Sequence, residues 1–260
     1  MSAKRTSVAC LAIVLLLGSV APLLAADEAL DKAFDTLKTY DWGQNRDDLK
    51  PIDDAVVASH KDEAAQKALA ARLDAVLTSD APRAAKDFVC RKLSLIGSAE
   101  SVPALSTLLT DEKLSHMGRY ALERMPCPEA VAALRDAVSK TKGRTKVGVI
   151  NSLGVRRDAE STKAMVALLD DSDKEIASAA AAALGAVGTP EAAKALEAFR
   201  AKAPKELSLA AADASLTCAE HLLADDKKAE AIAIYTALSK SDHKHVQVAA
   251  MRGMLAAAKK

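Results

Sequence analysis

In "SDHKHV", residues 241–246, His243 and His245 form a His-x-His pair that could hold one edge of a metal site. On a helix, residues two apart point away from each other, and Ser241 or Asp242 is a ready N-cap. A solvated helix start is the better reading of these histidines, and no metal is expected. Nucleophilic chemistry finds no footing either, because no Ser, His and Asp or Cys and His fall into a nucleophile-elbow or Cys-His signature. "LGAVGTP" (184–190) holds two glycines, but it follows helical periodicity instead of a strand. It therefore reads as a helix–helix turn, not a phosphate cradle. No catalytic constellation and no cofactor are expected.

The elements that would position any site are reached by first setting aside the N-terminus. "MSAKR" and the apolar run "SVACLAIVLLLGSVAPLLAA" read as a signal peptide over residues 1–26, cut after Ala26. Export to a periplasm or the extracellular medium is expected, with retention as an anchor helix the alternative. The full chain has 260 residues and a formal charge of +1. Loss of Lys4 and Arg5 leaves it near neutrality, without the basic stripe that nucleic acid requires or a polybasic patch for anionic lipid. No later run is long and apolar enough to span a bilayer. Cys90, Cys127 and Cys218 include no Cys-x-x-Cys. They read as small buried side chains, with Cys90–Cys127 the one pairing to test.

A repeat organises the remainder. "KLSLIGSAESVPAL" (92–105), "ALERMPCPEAVAAL" (121–134), "SLGVRRDAESTKAM" (152–165) and "ALGAVGTPEAAKAL" (183–196) align. Leu93, Leu122, Leu153 and Leu184 recur at spacings of 29, 31 and 31 residues, and Glu100, Glu129, Glu160 and Glu191 share a slot. Leu105, Leu134, Met165 and Leu196 open the next apolar face. Four markers agreeing over four copies indicate a repeat architecture. Helix-period faces such as Phe88, Val89, Leu93 and Ile96 precede each anchoring leucine, and no alternating β-branched run appears. Gly97, Pro126 with Pro128, and Gly188 mark the breaks, while Thr189 followed by Pro190 predicts a capped helix start. Alanine-rich stretches such as 177–183 let helices approach closely and add propensity without bulk.

These residues resemble the HEAT repeat, in its short bacterial form related to phycobilisome-lyase HEAT-like repeats. The resemblance implies an all-α fold, a right-handed α-solenoid of HEAT-like helical hairpins in an ARM-type superhelix. It covers 80–201 firmly, with 27–79 as an atypical helical cap and 202–260 as a C-terminal part closer to a tetratricopeptide-like hairpin. Trp42 and Tyr40 are expected to plug the open N-terminal end, with an interface role the alternative. The family's polar ladder is only partly matched: Asp80 with Lys86 fits, Asp111 with Ser115 half fits, Lys146 lacks its acid, and Asp171 faces Ala177. The His-Glu pairs of the family's di-iron hydroxylase branch are absent, since Lys, Met, Leu, Lys and Val follow the five histidines.

If the helix ending at each anchoring leucine lines the concave side, as the resemblance implies, positions two and six before the leucine face the groove. These are Asp87 and Arg91, His116 and Tyr120, Val147 and Asn151, then Ser178 and Ala182. Asp87, Arg91, His116, Tyr120 and Asn151 are the candidate partner-binding residues, with Arg119 and Arg124 at the rim. The function expected is a non-enzymatic exported scaffold that binds a protein or peptide along this face. The competing class is a lyase-like or chaperone subunit for a cofactor-bearing protein.

Overall fold

A computed structural model of the chain describes residues 27–259; the signal-peptide expectation lies outside them. The described residues are helical throughout, with no strand among them. A helix over 27–37 (α1) precedes α2 (Lys50–Ala58), α3 (Glu63–Leu77), α4 (Arg83–Ile96), α5 (Val102–Ser106), α6 (Ser115–Arg124), α7 (Pro128–Lys140) and α8 (Gly143–Val155). Then follow α9 (Thr162–Leu168), α10 (Lys174–Val187), α11 (Pro190–Lys202), α12 (Ser208–Ala224), α13 (Lys228–Leu238) and α14 (Lys244–Lys259). The punctuation falls where the sequence places it. Gly188 takes the left-handed conformation at φ 66° to end α10, and the Thr189 side chain accepts from the Ala192 amide to start α11. That conformation costs glycine little and an L side chain more. Short 3₁₀ turns lead into α5 and α9 at Ala99–Ser101 and Ala159–Ser161, the same three residues in both copies.

The pairs stack in two layers. The first helices α4, α6, α8, α10, α12 and α14 pack in succession, with α10 held closely between α8 and α12. The second helices touch more lightly: α5 meets α7, and α9 meets α11, over short stretches. Between α11 and α13 lies a groove walled by Leu196 and Ile234 and floored by Ser215 and Cys218 of α12. We call the first helices, the closely packed row, the inner row of this α-solenoid.

All four anchoring leucines are fully buried, as are Leu105, Leu134, Met165 and Leu196, so the register read from the repeat is the one the fold uses. The alanines of α10 have a direct cause. Ile176, Ala177, Ala179, Ala180, Ala181, Ala183 and Leu184 are all buried because neighbours flank the helix on both sides. The backbones of α10 and α12 come close at Gly185, where an added Cβ would lie 2.5 Å from the Ala214 carbonyl oxygen of α12.

The N-terminal end departs from expectation. Tyr40 is buried with Phe34, Leu37, Leu49 and Ile52, but Trp42 is 66% exposed. Trp42 does not plug the stack; its amide donates to Asp41 at 2.8 Å and holds a surface turn.

Cys90, Cys127 and Cys218 are all free thiols. Burial pushes the Cys90 thiol up to about 12 and the Cys218 thiol up to about 11, whereas Cys127 is half-buried at the start of α7. Since the thiolate is the reactive species, a disulfide reagent should modify Cys127 quickly in the native protein. Cys90 and Cys218 should react only on unfolding. In protein lacking residues 1–26, and with them Cys10, Cys127→Ser should then show no fast-reacting thiol, and a fast phase surviving that change would contradict the packing around α4 and α12.

Candidate functional site

The i, i+4 geometry of the inner helices sets three side chains of each along one line. On α4 these are Asp87, Arg91 and Leu95; on α6, His116, Tyr120 and Arg124; on α8, Val147, Asn151 and Val155. The Arg91 Nε donates to Asp87 Oδ2 at 2.9 Å, and this hydrogen bond, then the carboxylate charge, raises the guanidinium further above its ordinary value. Asp87 thus fixes the direction of Arg91. Across the helix boundary the Arg91 guanidinium carbon lies 5.6 Å from the Tyr120 ring centroid, and that of Arg124 lies 3.7 Å from it. Tyr120 is therefore stacked against two guanidiniums, one from each of two adjacent helices. Arg124 is further tied to the Tyr120 carbonyl at 3.0 Å.

The remaining candidates sit apart from this cluster. His116 is exposed one turn before Tyr120. Asn151 lies with Val147, Ser178 and Ala182 in a shallow depression between α8 and α10, edged by Lys174 and Glu175. The face thus carries aromatic and cationic groups at one end and small or neutral ones at the other. Two exposed apolar residues on the same line were missed from sequence: Leu95 at 69% and Val155 at 68% exposure. Each is one turn beyond a candidate already named, so continuing the four-residue step past Arg91 and Asn151 finds them. Along the inner row the exposed order is then Leu95, Arg124, Val155.

Arg119 does not join the rim. Its Nη1 donates to the Gly148 carbonyl at 3.0 Å and to Ser152 Oγ at 3.2 Å, while Ser152 donates to Glu123 Oε1 at 2.6 Å. Burial pulls the Arg119 guanidinium down from its ordinary value, partly offset by the Glu123 charge. The residue is a bolt between α6 and α8. Arg156 reinforces the joint by donating to the carbonyls of Leu122, Glu123 and Met125 at the end of α6.

The recurring glutamate acquires a reason as well. Glu100, Glu129, Glu160 and Glu191 all lie in the first turn of a helical segment, where the positive end of the helix dipole favours a carboxylate. Two of them also reach the preceding repeat, Glu100 to Lys67 and Glu160 to Arg135, each at 2.6 Å. Arg135 additionally grips the buried Asp158 through two bonds of 2.7 Å, the fork geometry that makes charge-assisted pairs strong. The expected turn acids act locally: Asp111 accepts from the Lys113 and Leu114 amides, and Asp171 from that of Asp173.

The two C-terminal histidines turn to different partners. His243 Nε2 lies 2.9 Å from Ser208 Oγ, and His245 faces Asp213 at 3.8 Å. Among the described residues, no group of three or more His, Cys, Asp or Glu side chains could hold a metal ion. None of the described helices is long and apolar enough to cross a membrane.

Stacked helix pairs with a close-packed inner row define the class, an α-solenoid of helical repeats. Within it, residues 131–217 match a family model described as HEAT repeats. No curated protein is significantly similar in sequence. Among solved structures, an engineered protein from a structural genomics consortium is 21% identical, with 88% of this chain and 68% of that one covered and a TM-score of 0.43. A second engineered protein is 20% identical, covering 80% of this chain and 96% of its own, at a TM-score of 0.39. Human deoxyhypusine hydroxylase in complex with glycerol is 14% identical over 93% of this chain and all of its own, at 0.34.

Proposed function

We propose that the protein is a non-enzymatic scaffold that binds a protein or peptide partner along its inner face, and that the segment 1–26 directs it out of the cytoplasm. Repeats of the matched type commonly serve as protein-binding scaffolds. The observation that carries the reading is the Tyr120 ring stacked against Arg91 and Arg124, with exposed Leu95 and Val155 on either side along the row. Interface energy concentrates in aromatic and arginine anchors. Guanidinium–aromatic stacking holds such anchors in place before a partner arrives, which lowers the ordering cost of binding. Asp87 adds to this by fixing Arg91.

Replacing Arg91 and Tyr120 together by Ala should weaken binding by roughly 1–3 kcal/mol, the range of a small hot spot. The partner is recovered by affinity capture from envelope extract and its binding then measured by calorimetry. A Ser178→Lys, Ala182→Lys variant at the neutral end of the row is the comparison. The Arg91/Tyr120 variant should keep parental helicity, since neither side chain belongs to the core. Equal binding by the parent and the Arg91/Tyr120 variant would dispose of the inner-face reading, and lost binding with lost helicity would make these residues structural.

A further inference from the structure

Every inner helix from α6 to α12 is packed between two others of its row, but α14 has only α12 beside it among the described residues. It buries Val246, Ala250 and Ala257 against α12 and α13. The opposite side presents Val248, Met251 and Leu255 at 48%, 50% and 66% exposure. Spacings of three and four place these on one stripe. The same stripe carries Lys244, Arg252 and Lys259, all exposed, and no acidic residue occurs between Lys244 and Lys259. Many cations elsewhere in the chain, including Lys38, Lys50 and Lys67, have a carboxylate within 4 Å. No ion pair forms at Lys244, Arg252 or Lys259 among the described residues, so the stripe combines an uncovered apolar seam with uncompensated positive charge.

We propose that this open face of α14 binds an acidic amphipathic helix of a partner protein. The shape of the seam follows from the stack, because α14 presents toward solvent the kind of surface on which each earlier inner helix seats another helix. The charge selects the occupant. A second copy pairing through α14 would set Lys244, Arg252 and Lys259 against their own kind, and like charges across an interface oppose association. An anionic membrane satisfies the charge but not its placement: an interfacial helix keeps Lys and Arg on the polar face opposite the buried apolar one, whereas Lys244, Arg252 and Lys259 share the stripe with Val248, Met251 and Leu255. An acidic helix with a Leu seam meets both requirements.

The test uses a fluorescein-labelled synthetic helical peptide with a leucine seam flanked by glutamates, and a control with lysines in their place, titrated against the protein by fluorescence anisotropy. The acidic peptide should bind with an affinity that falls as salt rises, and the lysine control should not. Arg252→Glu with Leu255→Ser should weaken binding roughly tenfold or more, as expected for losing an anchor and reversing a charge, with an unchanged thermal melt. The Arg91/Tyr120 double variant should bind like the parent, which keeps this site separate from the inner face. Equal binding of both peptides, or none of either, would overturn the proposal. So would sedimentation with phosphatidylglycerol vesicles in place of peptide binding, or a concentration-dependent dimer abolished by the α14 variant.

Discussion

Leu153→Ala is expected to cost about 2–5 kcal/mol in urea unfolding, through the lost transfer energy and the cavity left behind. Leu153 is fully buried in α8, which has α6 on one side and α10 on the other. The site cannot collapse easily, because the Arg119 and Arg156 bonds clamp α8 to α6 at the same joint. The position also lies mid-array. Repeats are coupled only through their neighbours, so weakening this joint should separate the unfolding of the two halves and lower the apparent m-value along with the midpoint. A cost below about 0.5 kcal/mol, typical of a surface change, would show that the leucine register is wrong.

Gly185→Leu should destabilise by about 3 kcal/mol, the upper end of the usual overpacking range. Helix propensity argues the other way, since Gly in a helix interior is disfavoured by about 0.8–1 kcal/mol. Packing wins because the obstacle is backbone. The first added carbon would lie 2.5 Å from the Ala214 carbonyl oxygen and 3.1 Å from the Ala214 Cα, so α10 and α12 must move apart as bodies. Ala182→Leu, on the exposed side of the same helix, is the matched control and should stay within about 0.5 kcal/mol of the parent. Equal melting of the two variants would mean that α10 and α12 are not in contact at Gly185.

The repeat was legible because it is written in burial. Leu93, Leu122, Leu153 and Leu184 each occupy the same environment, and one environment selects one residue type four times. Helix ends were legible for a similar reason, since Gly188 and Thr189 meet local backbone demands that need no knowledge of neighbours. The candidate face was only half legible. Arg91 and Tyr120 fall on the line that helical spacing draws, and the structure stacks them. Leu95 and Val155 hid because an apolar residue two positions past a core leucine reads as more core; only the rotation of the whole helix shows it facing out. Arg119 hid in the opposite way. A charged residue reads as surface until Gly148 and Ser152, some thirty residues on, supply the oxygens that accept its hydrogen bonds. Trp42 failed because Tyr40, with Phe34, Leu37, Leu49 and Ile52, is the aromatic residue buried in the cap, while the indole stays at the surface.

The unequal packing of the two rows gives the array a bending behaviour as well as a shape. Close-packed interiors resist compression, so the inner row holds its spacing while the lightly joined outer helices are free to fan, as pages do about a spine. The groove between α11 and α13 is one place where that fanning has room. A long partner on the inner face would therefore meet helices at nearly constant intervals even as the molecule flexes. Bending of the array should therefore change the outer spacings first and leave the pitch of the inner row nearly constant.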